Sequence, residues 1–285
     1  MYRDFMQINA QWVNMKLFVT NLTIFLLFTL FNSSLHAGGG GTIPALQKAL
    51  IDIKSLHKDK ELTFLAEKEY QVRKYYYEIQ SKTQRLEILD EVRGHFEKAI
   101  TKAEEKFDSG EDDVSQSAIT KLKLGLAGTL NDIISLDSDI KVARISLAGM
   151  FNEGYSTDAE MSSPEIEPVI FDHEDFESWL KGFDPVNNET PKEPLSLNYE
   201  LKLKTSFLKT VENREKLHLA KKNRKITRAL LVSEVANYDF GIGNSGDLFE
   251  ALIIYTRVLN GYYESVYNFN LAVAELNRAL WTGKH

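Results

Sequence analysis

The chain has 285 residues, is 43% hydrophobic, and carries a formal charge of -7 with a pI near 5.5. That acidity argues against general nucleic-acid binding, which draws on clustered Lys and Arg, and the one basic run, KKNRK at 221–225, reads as a solvated helix face. The absence of cysteine excludes disulfides, thiolate metal sites, a cysteine nucleophile and a lipidated N-terminal cysteine.

The N-terminal stretch MKLFVTNLTIFLLFTLFNSSLHAGGGG has Lys16, an apolar run from Leu17 to Phe31, and Ala37 ahead of four glycines. Residues 1–37 read as an export signal, with Met15 fitting as the true start. The apolar core, about 15 residues, is shorter than the roughly 20 needed to cross a bilayer as a helix. Cleavage after Ala37 is therefore expected, with an uncleaved inner-membrane anchor as the other reading.

From Pro44 to about Phe107 there is no further proline and one glycine, Gly94, while Glu, Lys, Leu, Gln and Arg dominate. This predicts a single helix, about 90 Å long at 1.5 Å per residue. Helices of that length survive by burying an apolar seam against a neighbour. The segment FDSGEDD interrupts it, placing a tip near 108–113 around Gly110, Asp112 and Asp113. A returning helix runs from Val114 to about Met150, completing a first unit over 38–150.

Apolar positions on the returning helix alternate three and four apart, through Ile119, Leu122, Leu126, Ile133 and Leu147. Residues 151–200 differ. Five of the six prolines lie there, with many acids, so a long regular helix is excluded. A short strand at PVIF and a short helix at DFESWLKGF are expected, in a segment that packs on something through Phe171, Phe176 and Trp179. A second helical unit follows over 201–285, with its tip near 241–247.

That second tip contains Gly241, Gly243 and Gly246, spaced as GxGxxG. A dinucleotide site needs a strand before such glycines and an acid at the end of a second strand. Upstream, Ile226, Leu230, Leu231, Val235 and Tyr238 have helical spacing, and Glu264 lies inside a helical pattern, so the glycines read as a turn. Gly241 is the expected left-handed cap, with Asp247 or Ser245 capping the next helix.

The final helix carries Leu248, Leu252, Tyr255, Leu259, Val266 and Leu280 at the same heptad spacing. A constant offset maps Ile119 on Leu252, Leu122 on Tyr255, Leu126 on Leu259, Ile133 on Val266 and Leu147 on Leu280. FDSG at the first turn answers YDFG at the second. The chain is an internal duplication of a long helix, a glycine turn and a returning helix. The fold class is all-α, two long antiparallel coiled-coil hairpins with little or no β.

Catalytic constellations are not apparent. The histidines (His36, His57, His95, His173, His218 and His285) are scattered without metal-ligand spacing. The acidic group DHEDFE at 172–177 lacks the spaced ligands and glycine of a calcium loop. No catalytic, cofactor or metal site is expected. The tyrosines of YYYE at 75–78, with Tyr262 and Tyr263, read as core aromatics. The acids Asp108, Glu111, Asp112 and Asp113 read as helix caps, with a cation-selective entrance as the sharper alternative.

The tail YDFGIGNSGDLFEALIIYTRVLNGYYESVYNFNLAVAELNRAL resembles the C-terminal hairpin of TolC-like outer-membrane efflux proteins. The carrying residues are Tyr238, Gly241, Asp247, Leu248 and Ala251, then Asn270, Ala272, Ala274, Leu276 and Ala279. The resemblance implies a homotrimer whose hairpins form a twelve-helix tunnel, exported to the outer membrane or periplasm of a Gram-negative bacterium. It also implies that a periplasmic adaptor docks on the tips, at Gly110, Asp112, Asp113, Gly241, Gly243, Asp247 and Leu248. Segment 151–200 would lie at the tunnel's equator. Members of this family carry paired amphipathic strands that close a membrane barrel, and this sequence has no such pair. A periplasmic coiled-coil scaffold or adaptor-like binding protein that does not transport is the alternative.

Overall fold

The computed structural model describes residues 42–110, 114–151, 158–182 and 196–282. The export-signal segment 1–37 and the acids Asp112 and Asp113 lie outside these. Six helices are described: α1 (Leu46–Leu56), α2 (Leu62–Asp108), α3 (Gln116–Ala148), α4 (Phe176–Gly182), α5 (Leu197–Asp239) and α6 (Ser245–Thr282). None is long and apolar enough to cross a membrane. Among the described residues the β content is an isolated parallel bridge, Ile43 to Met161.

α2 and α3 form one antiparallel hairpin, α5 and α6 the other. α2 packs on both α3 and α6, leaving α3 and α5 on opposite edges of the layer. Cross-layer bonds set the register: the Tyr255 hydroxyl donates to Glu91 at 2.8 Å, and the Ser81 hydroxyl donates to the Tyr263 carbonyl at 3.0 Å. At the end far from the turns, Arg278 on α6 reaches Glu67 on α2 at 2.5 Å and lies over the Tyr70 ring.

The predicted seams are the core. Ile119, Leu122 and Leu147 on α3, and Leu252, Tyr255, Leu259, Val266 and Leu280 on α6, are all buried. Leu126 and Ile133 are half-buried. Fully burying such side chains stabilises by about 1.5–3 kcal/mol each, which is how helices of 47 and 43 residues persist. Tyr76, Tyr77, Tyr262 and Tyr263 are likewise buried.

The single long helix expected from Pro44 to Phe107 is broken at residues 57–61. There α1 ends, the Lys60 amide donates to the His57 carbonyl at 2.9 Å, and the chain turns back. Lys54 on α1 accordingly pairs with Glu69 on α2 at 3.1 Å. The reason is burial. Ala49, Leu50 and Ile53 join Val72, Tyr76, Ile79 and Leu147 in one cluster. A continuous helix would leave those side chains in water, and the charged pentapeptide HKDKE has no apolar residue to resist the break.

Candidate functional site: the hairpin tips and the strap

Both turns are built on a glycine in the left-handed region, Gly110 at φ 78° and Gly241 at φ 74°. A side chain there would be strained by the backbone alone. In the first turn the Gly110 amide donates to the Phe107 carbonyl at 3.1 Å, and the Ser109 hydroxyl to the Lys106 carbonyl at 2.8 Å. Ser115 then caps α3, its hydroxyl accepting from the Ala118 amide at 3.1 Å.

The second turn is a Schellman closure. The Gly241 amide donates to the Tyr238 carbonyl at 3.1 Å and the Ile242 amide to the Asn237 carbonyl at 2.9 Å, satisfying the helix's last carbonyls. Gly243 also donates to Asn237, and a Cβ at this glycine would stand 3.0 Å from the Asn237 Cβ. The cap of α6 is Asn244, not Asp247 or Ser245. Its Oδ1 accepts from the Gly246 and Asp247 amides at 2.8 and 3.0 Å, while its Nδ2 donates to the Asp247 carboxylate at 2.6 Å. Asp247, in the first turn of α6, thus braces the capping side chain itself.

Leu248 is 3% exposed and belongs to the core. The apolar side chains that the second tip does present are Phe240 and Ile242, each 80% exposed and flanking Gly241. Neither belongs to the glycine and acid pattern of the tip, but two large apolar residues at a solvent turn are themselves a signal.

The second tip is fastened to α2. Lys102 donates to the carbonyls of Tyr238 and Asp239 at 2.8 Å and lies over the Tyr238 ring, favourably placed at the negative end of α5. The Tyr238 hydroxyl returns a bond to the Ala99 carbonyl at 3.1 Å. Beyond Lys102, α2 runs on to Asp108, about 9 Å further at 1.5 Å per residue. The first turn therefore projects past the second along α2.

Far from the tips, residues 158–182 form a strap across the layer. Hydrogen bonds between Ile43 and residues 160 and 162 start it. Gln80 on α2 donates to the carbonyls of Ser163 and Glu165, both at 2.7 Å. Asn270 on α6, 1% exposed, accepts from the Val169 amide at 2.9 Å and donates to the Glu167 carbonyl at 2.8 Å. Arg214 on α5 donates to the His173 carbonyl at 3.0 Å. The expected strand at PVIF is absent: the Val169 amide is taken by the Asn270 side chain rather than by a neighbouring strand. The expected helix is present as α4, capped by Asp175, whose side chain accepts from the Ser178 amide at 2.7 Å. Those bonds hold the Asp175 carboxyl below the usual carboxylate range. Phe171, Phe176 and Trp179 pack around Phe207 of α5.

Buried tyrosines line the seam between α2 and α6. Burial, then the hydrogen bond to Glu91, pushes Tyr255 up to about 12. Burial pushes Tyr267 up to about 12 as well. Burial would push Glu67 up, but hydrogen bonds from Arg278 and Gln71 outweigh it and leave the carboxyl below its ordinary value.

No family model matches the sequence, and no curated protein matches it. Solved structures do. The outer-membrane channel OprN superposes with a TM-score of 0.56 at 9% identity, over 84% of this chain and 70% of that one. A membrane protein from Pseudomonas aeruginosa superposes with a TM-score of 0.54 at 12% identity, over 82% of this chain and 74% of that one. At these identities the likeness is one of fold, all-α with long helical hairpins lying side by side.

Proposed function

We propose that this chain is a TolC-like component of an outer-membrane efflux or secretion conduit. It forms the periplasmic helical tunnel as a homotrimer, without catalysis, and receives a periplasmic adaptor on its hairpin tips. The observation that carries the reading is the pairing of two duplicated hairpins into one layer crossed by a strap. The fold likeness to outer-membrane channels supports it. Phe240 and Ile242 are the apolar contacts the second tip offers a partner, and Gly110, Gly241, Gly243 and Asp247 hold the turns in shape.

A second reading, a periplasmic coiled-coil scaffold that does not transport, is favoured by the single isolated β bridge among the described residues. Fractionation with sedimentation separates the two. The conduit reading expects a trimer retained in outer membranes. Release as a soluble periplasmic species supports the scaffold, and a stable monomer counts against the conduit.

A further inference from the structure

On the face of the layer opposite the strap, α2 and α6 part to leave a cavity of about 180 Å³. The face follows from helical positions: at about 100° per residue, Lys82 and Arg85 lie about 160° and 140° around α2 from Gln80, which holds the strap. On α6, Glu264 and Asn268 lie about 120° and 160° from Asn270, which holds it too. Ser81 opens the gap, being the smallest side chain in the wall, with its hydroxyl committed to the Tyr263 carbonyl at 3.0 Å. About six water molecules of about 30 Å³ each would fill the space, the bulk of a small amino acid.

The charges in the wall divide into those already matched and those left over. Lys82 lies between Glu78 at 2.7 Å and Asp139 at 3.1 Å, which neutralise it in place. Arg85 and Glu264 line the same cavity, yet among the described residues neither forms an ion pair, with the other or elsewhere. The Arg85 Nε is shut off from water without an acceptor, which leaves the outer Nη pair of the guanidinium to the cavity. Glu264 is exposed at the rim. Tyr267, its phenol pushed up to about 12 by burial, adds no charge at neutral pH. We propose that the cavity binds a small zwitterion of the free amino-acid class, its carboxylate on the Arg85 guanidinium and its ammonium at Glu264. A guanidinium fork meets a planar carboxylate with two parallel hydrogen bonds. A phosphate suits the wall less well, because it brings nearly two negative charges to a lining whose other unmatched group is a carboxylate. A simple cation makes no use of Arg85, and a simple anion is repelled by Glu264. Both groups belong to one chain, so the site stands apart from the conduit reading and from any assembly.

Calorimetric titration of the full chain with L-alanine, with propionate, which lacks the ammonium, and with ethylamine, which lacks the carboxylate, tests this. L-Alanine is expected to bind saturably and about tenfold or more tighter than either, the effect of one charge-assisted contact. Arg85→Gln should weaken L-alanine about tenfold or more. Arg85→Lys should recover only part of that, because an ammonium cannot present the fork. Glu264→Gln, at an exposed position where folding is not at stake, should weaken L-alanine and strengthen propionate. Opposite signs on two ligands are what a merely structural role would not give. Equal binding of L-alanine and propionate, L-alanine binding unmoved by Arg85→Gln, or no saturable heat from a chain with full helical circular dichroism overturns the proposal.

Discussion

The two hairpins share one sequence rhythm, but their returning helices occupy different places. α6 lies between α2 and α5 and is buried from two sides, whereas α3 packs chiefly on α2 and is covered from one. At matched positions Leu259 and Val266 are fully buried, while Leu126 and Ile133 are half-buried. A heptad seam shows that a helix packs; it does not show on how many sides. The unequal neighbours, not the repeat, decide how much each residue stabilises.

The largest test of that difference is truncation at a matched pair. Leu259→Ala should cost about 3–4 kcal/mol and Leu126→Ala about 1–2 kcal/mol, since a half-buried site loses less transfer energy and leaves less cavity. Urea unfolding reads both, and equal costs would break the comparison. Next, Asn270→Ala should cost about 2–3 kcal/mol, because it leaves the Val169 amide and the Glu167 carbonyl without their partner. The position the duplication aligns with it, Asp137, is partly exposed and bonds Lys141 on the same helix. Alanine there should change stability by less than about 0.5 kcal/mol.

The turns should behave alike where the hairpins do not. Gly110→Ala and Gly241→Ala should each cost about 1–2 kcal/mol, the strain of a left-handed residue bearing a Cβ. A neutral result at either position would mean that the turn relaxes. The smallest effect concerns Tyr255, whose matched residue Leu122 cannot titrate. Its raised value means the folded state keeps the phenol protonated. The stability it contributes is fully present below pH 10 and is lost as pH rises toward about 12. Ultraviolet phenolate titration of wild type against Tyr255→Phe should show one late-ionising group missing, and an ordinary titration near the unperturbed value would contradict the burial.

Much of this fold is legible in the amino-acid order because long helices in water need a seam, and the seams of α3 and α6 are written at heptad spacing. The turn glycines are legible because few other residues adopt a left-handed backbone. The break at residues 57–61 is not, since Lys and Glu continue the helical composition through it without a proline or glycine. Only the fold-back of Ala49, Leu50 and Ile53 onto Val72 and Tyr76 makes a turn preferable. The strap is half legible. Its prolines exclude a long helix, and its aromatics announce packing. That Gln80 and Asn270 would pin its backbone depends on which helices lie side by side, a tertiary fact. The exposure of Phe240 and Ile242 is not legible either, since isolated apolar residues beside a turn glycine are as compatible with a buried loop as with a presented one.

The uneven reach of the two turns along α2 has a geometric corollary. With the second anchored beside Lys102 and the first carried on past Asp108, the chain ends in a stair rather than a level edge. Anything that grips both treads is itself stepped or arrives at a slant, and shortening the longer prong by two helical turns would level them.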